Sequence, residues 1–156
     1  MQSVKSKLKD FKLSGIYRNL EERLSYSREK SLSYLEFLTL LLEDEQNNRG
    51  ENSYRKRYNK AKLPAQKQIE DFDFSFQPPV DKRIINDCST CQFITTRRNI
   101  ILIGNPGTGK THLAIGIAMK ALLKRYRVLF TQVSQMLHQL NFSGADNSII
   151  KNSIIT

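Results

Sequence analysis

A chain of 156 residues with 39% hydrophobic and 26% charged side chains can bury a core and is too apolar for a disordered segment. It contains no apolar run of membrane-spanning length, and its lysine-bearing N-terminus has no apolar stretch behind it, so neither a membrane span nor a signal peptide is expected and the cytoplasm is the expected location. The net charge of +10 is concentrated late: residues 77–156 carry ten basic and three acidic side chains against fifteen and twelve before them, a balance that favours nucleic acid or another polyanion.

In chain order, Leu8, Phe11, Leu13, Ile16, Leu20 and Leu24 recur at helical spacing, with Gly15 as the expected break. Ser33 and Glu36 in "SYLE" form a capping-box pattern. Behind it Leu35, Leu38, Leu41 and Leu42 predict a helix that runs toward Pro64, with a break or restart possible at Gly50. Late in this stretch Arg55, Lys56, Arg57, Lys60 and Lys62 alternate with Tyr54 and Tyr58. They are candidate contacts to a DNA backbone, or else a solvated helix face.

Residues 69–83, "IEDFDFSFQPPVDKR", alternate apolar and polar side chains and predict an extended linker laying Phe72, Phe74 and Phe76 on another surface. A short helix is expected over about 80–94. Cys88 and Cys91 form a C-x-x-C pair without a second pair, and His112 and His138 lie far along the chain. Structural thiols are therefore expected ahead of half a zinc site or a redox couple.

Residues 99–103, "NIILI", read as a strand buried on both faces, and "RVLFTQV" at 127–133 as a second one. Between them "HLAIGIAMKALLKRY" has a helical pattern, and "SQMLHQL" begins another helix with Ser134 as its expected cap. The residues between the first strand and its helix are Gly104, Asn105, Pro106, Gly107, Thr108, Gly109, Lys110 and Thr111. They fit the phosphate-loop pattern G-x-x-x-x-G-K-[ST] in a strand–loop–helix context. Gly107 and Gly109 would let backbone N–H groups turn inward, and the helix would present its positive end to a phosphate. Lys110 would supply a point charge and Thr111 a hydroxyl for Mg2+, with ATP as the expected ligand. His112 fits a packing or surface role better than a nucleotide contact, and His138 a structural one.

Hydrolysis in this class needs an acidic residue at the end of a neighbouring strand to place Mg2+, and a group that polarises water. After Asp87 the sequence contains one carboxylate side chain, Asp146, with no apolar run before it. No catalytic residue is assigned, and whether the chain is an enzyme is left open on this ground.

"FLTLLLEDEQNNR", "AKLPAQKQIEDFDFSFQPPVDKRII" and the long run from Asn99 to Leu140 resemble the IstB-like transposase helper ATP-binding proteins, relatives of the DnaC-type helicase loaders in the AAA+ group. The resemblance covers roughly residues 10–140. It implies an ATP-dependent oligomer that assembles on DNA and directs a partner transposase, with ATP held by Gly104–Thr111. The family is expected to continue for about another hundred residues through an acidic strand, so a C-terminally truncated form is expected. It would bind ATP with little hydrolysis, or would serve as a non-enzymatic DNA- or protein-interaction remnant with a passive loop domain. The expected architecture is α/β: an incomplete parallel sheet with helices over 96–156, a linker and short helix over 64–95, and a helical region over 1–63.

Overall fold

The computed structural model describes residues 1–75 and 80–143, the side chains of 139–143 excepted. Phe76, Asp146 and the closing run 147–156 lie outside the described residues. The chain divides into two compact units, Met1–Arg55 and Lys56–Thr156.

The first unit is built from α1 (Gln2–Asp10), α2 (Ser14–Lys30) and most of α3 (Tyr34–Ala61). The break between α1 and α2 falls at residues 11–13, two residues before Gly15. Lys12 takes a left-handed φ of 57°, and Leu13 N–H donates to the Leu8 carbonyl at 2.8 Å. Gly15 lies inside α2, where it lets that helix approach α3. A Cβ there would sit 2.6 Å from the Asp44 carbonyl oxygen and 2.7 Å from the Glu45 Cα. Ile16, Leu20 and Leu41 form the small core, with Leu8, Leu13, Leu24 and Phe37 packed around it.

The capping box at the start of α3 forms as its residues predict. Glu36 Oε2 accepts from Ser33 N–H at 2.8 Å, and Glu36 N–H donates to Ser33 Oγ at 3.3 Å. α3 passes Gly50 without interruption and stops at Ala61, followed by Lys62 at φ 53° and then Pro64.

The second unit holds the end of α3, then α4 (Lys82–Ser89), α5 (Gln92–Thr95), α6 (Lys110–Leu123) and α7 (Val133–Ser143). The single helix expected over 80–94 is two, parted at Cys91, whose φ is 60°. Asp81 caps α4 by accepting from Arg83 N–H at 2.8 Å. α7 begins at Val133, so Ser134 lies within the helix and does not cap it. Ile69, Ile85, Leu113 and Ile117 make the core, with Phe72, Phe74, Val80, Cys88, Phe93, Ile100 and Leu102 against it. Cys91 is buried, and its Sγ donates to the Ser89 carbonyl at 3.6 Å.

The expected α/β parallel sheet is not what the described residues form: they contain helices and no strand. Residues 99–103 run without regular structure, and they are covered on one side alone. Ile100 and Leu102 pack on the core, while Ile101 and Ile103 are 77% and 92% exposed. Residues 127–132 are likewise irregular, and Phe130 N–H donates to the Ala61 carbonyl at the end of α3, at 2.7 Å. The physical reason is that a β-branched apolar run becomes a strand only when a neighbour pairs with its backbone groups. Neither run has that neighbour among the described residues, and the backbone bond of Phe130 goes to a helix end.

Candidate phosphate-binding loop

The segment from Gly104 to Thr111 leaves the 99–103 run, turns through residues 106–109, and enters α6 at Lys110. Gly107 and Gly109 have φ values of 81° and 77°, the left-handed region where a side chain is strained. Gly109 is also the residue that caps α6. Thr108 Oγ1 donates to the Asn105 carbonyl at 2.9 Å and closes the turn. Lys110 folds back over the same loop: its Nζ donates to the Asn105 carbonyl at 2.6 Å and lies 3.4 Å from Thr108 Oγ1.

Among the described residues, no hydrogen bond occupies the backbone N–H groups of Gly107, Thr108, Gly109, Lys110 or Thr111. Five consecutive donors, a lysine and the positive end of a helix thus lie within one short loop. Donors of this kind at a helix start are suited to an anion of several oxygens. Thr111, exposed in the first turn of α6, completes the sequence pattern. The eight residues expected to form the site are therefore contiguous around one turn.

Beside the loop lies an open cleft of about 560 Å³, with Lys110, Thr108 and Asn105 on one side and Val80, Ile84 and Ile103 on another. Among the described residues, Asp81 is the carboxylate that lines it. Its side chain is engaged by Arg83 at 3.2 and 3.0 Å, and that guanidinium holds its carboxyl below the usual range.

The surface on which Phe72 and Phe74 lie is α6 and the core beneath it. Segment 68–74 lies along one face of the helix. His112 Nε2 meets the Gln68 carbonyl at 2.7 Å, Ile69 packs against Gly116, and Lys120 Nζ pairs with Glu70 at 2.5 Å. Phe72 covers Gly109, with its ring edge 2.4 Å from where a Cβ would stand. The readable signal was the spacing of Gly109, His112, Gly116 and Lys120, at steps of three and four residues on one helical face.

The basic stretch of α3 divides by role. Arg55, Lys56, Lys60 and Lys62 are exposed. The Arg57 guanidinium instead donates to the Leu122 carbonyl at 3.4 and 3.3 Å, at the C-terminal end of α6, where a cation complements the negative end of the helix; Arg125 N–H donates to the same carbonyl at 3.1 Å. Among the described residues, no cluster of His, Cys, Asp or Glu could hold a metal ion, and no helix is long and apolar enough to cross a membrane.

Residues 6–154 match the family model described as IstB-like ATP binding protein. The chain is 34% identical over 149 residues to a Pseudomonas aeruginosa protein named as the ATP-binding protein of insertion sequence IS21, covering 96% of this chain and 56% of that one. It is 38% identical over 126 residues to the corresponding insertion sequence IS5376 protein of Geobacillus stearothermophilus, covering 81% and 50%. A Mycobacterium tuberculosis protein named for ATP binding in an insertion sequence is 34% identical over 146 residues, with coverage of 94% and 58%. The chain thus spans between half and three-fifths of the length of these relatives.

Proposed function

The chain belongs to the IstB-like ATP-binding proteins, and from that premise we propose that residues Gly104–Thr111 bind the phosphates of ATP. The observation that carries this reading is the row of unoccupied N–H donors from Gly107 to Thr111 under Lys110. On binding, the Lys110 ammonium leaves the Asn105 carbonyl for the terminal phosphates, a stronger acceptor because it is charged. Mg2+ fits a donor set made of the Thr111 hydroxyl and phosphate oxygens, since this ion keeps most of its waters and takes few protein ligands. When bound, it would neutralise phosphate charge.

Turnover by this chain is slow in the proposal. Asp81, the carboxylate beside the loop, is committed to Arg83 and to the cap of α4. A free carboxylate is what positions the metal and the attacking water. The test is titration of a fluorescent ATP analogue into wild type and Lys110→Ala, with phosphate release measured alongside. Binding that is lost in the variant, with little phosphate released by either, supports the reading. Equal affinity in the two proteins sinks it.

A second role is proposed for the exposed cations at the end of α3 and just past it. Arg55, Lys56, Lys60 and Lys62 would meet a DNA backbone in the cytoplasm, as part of the insertion-sequence context after which the relatives are named. A transposase and further copies of the chain are the proposed protein partners. Arg57 is not included among the DNA contacts, because its guanidinium closes the end of α6. Neutralising the four exposed residues should flatten the salt dependence of DNA binding, whereas Lys110→Ala should leave the slope as it is. An unchanged slope after the fourfold neutralisation removes this role.

A further inference from the structure

We propose that Phe72 is a positioning residue of the nucleotide site: it holds Gly109 in its left-handed conformation at the turn that leads into α6. The proposal rests on the nucleotide reading above and assigns a working part of that site to a residue outside the loop.

Three observations carry it. The ring occupies the space that any side chain at residue 109 would need, with Cε2 and Cζ 2.4 and 3.2 Å from an ideal Cβ. Gly109 has a φ of 77°, so its freedom from a side chain is used twice, once by the backbone turn and once by the ring. The ring is itself fixed. Phe74 meets it edge-on at 4.8 Å, His112 edge-on at 5.4 Å, and it packs on the core of Ile69, Ile85, Leu113 and Ile117.

A glycine loop has many conformations, and a ligand that selects one must overcome that freedom. A ring wedged against the last glycine removes alternatives before the ligand arrives, which raises affinity without adding a contact to it. The molecule contains an internal control. Ile69, on the same segment, packs on Gly116 of the same helix, its Cγ1 2.6 Å from where a Cβ would stand. That contact is seven residues further along α6 and touches no part of the cradle.

The experiment compares wild type, Phe72→Leu, Ile69→Val and Lys110→Ala. Backbone amide order parameters from NMR relaxation are measured at residues 107–111 in the nucleotide-free protein, and a fluorescent ATP analogue is titrated with Mg2+. Both truncations are mild enough to leave the fold intact, and each is expected to lower the thermal midpoint. Phe72→Leu is expected to lower the order parameters at Gly109 and Lys110 and to weaken the analogue roughly 5- to 10-fold, the scale of a lost preorganisation effect. Ile69→Val should leave both readouts at their wild-type values. Loop order parameters in Phe72→Leu that equal wild type overturn the proposal, whatever the analogue does. So does equal loosening by Ile69→Val, which would reduce Phe72 to general packing. If wild type fails to bind the analogue while Phe72→Leu still loosens the loop, the nucleotide reading falls and the hold on Gly109 stands.

Discussion

Where α2 meets α3, carboxylates, amides and a guanidinium are buried beside the apolar core of Ile16, Leu20 and Leu41; where segment 68–74 meets α6, isoleucine and phenylalanine pack on glycine, and the polar pairs His112–Gln68 and Lys120–Glu70 stand beside them. In the first unit the buried polar residues are Asp44, Glu45 and Asn48. Glu45 accepts from the N–H groups of Gly15 and Ile16 at 2.7 and 3.3 Å, and so caps α2 from thirty residues away. Asp44 receives the Arg23 guanidinium at two oxygens, both at 2.8 Å, and Asn48 bonds Arg18 and Ser14. In the second unit, apolar side chains press on two glycines of α6, and the N–H donors at its start are left open. The difference teaches what each contact can do. Directional hydrogen bonds fix the angle and register of two helices but use up donors at helix ends. Apolar packing on glycine fixes position while leaving the adjacent donors to a ligand.

The sharpest way to break this comparison is at Gly15. A side chain there meets backbone atoms of α3 at 2.6–2.7 Å, which cannot rotate away. Gly15→Val should destabilise the first unit by about 3 kcal/mol or more, read by urea unfolding. A loss below about 1 kcal/mol would mean that α2 and α3 are less closely apposed than described. Next in size is Lys110→Ala, which should weaken ATP by roughly 10- to 150-fold, the equivalent of one hydrogen bond to a charged group. It should not alter the unfolding of the first unit.

Removing the charge of Glu45 comes third. Glu45→Gln keeps one acceptor and should cost about 1–2 kcal/mol. Acid titrates the same contacts. The Asp44 carboxyl is held low chiefly by its bonds to Arg23. Glu45 is pushed up by burial, but the Arg49 side chain and the Gly15 and Ile16 N–H groups outweigh this, and the net direction is down. Both folded values thus lie below the ordinary 3.8 and 4.5. Below those ordinary values the unfolded chain binds more protons than the folded one, so stability is full above them and falls as acid titrates the folded groups. The acid limb of an unfolding-midpoint curve should flatten in Asp44→Asn with Glu45→Gln; an unchanged limb would assign acid sensitivity to other groups.

The smallest effect is expected at Lys120, which pairs with Glu70 at the exposed end of segment 68–74. Lys120→Ala should shift stability by no more than about 0.5 kcal/mol, because a solvated ion pair is weak. A larger loss would show that ion pairing, and not Ile69 and Phe72, holds the segment on α6.

The loop at 104–111, the capping box at Ser33 and the stop of α3 before Pro64 were legible because each depends on neighbours within a few residues. Gly15 was legible as an unusual residue but misread as a break. Whether a glycine ends a helix or admits another one depends on what stands opposite, here a backbone thirty residues on. The runs at 99–103 and 127–133 carry strand composition, yet composition supplies no pairing partner, and the described residues form no sheet. Arg57 was indistinguishable from its basic neighbours in a string of letters. Its tie to the Leu122 carbonyl spans 65 residues.

By itself, then, the order of residues determined the capping box that starts α3, the stop of that helix before Pro64, and the glycines at 107 and 109 ahead of α6. These are properties of local backbone sterics and of chemistry carried within one short segment. Tertiary structure alone decided that Glu45 caps α2, that Phe72 rests on Gly109, and that Ile101 and Ile103 face outward. Each of these requires two distant segments to share a volume, and excluded volume and hydrogen-bond direction act only once the chain has folded.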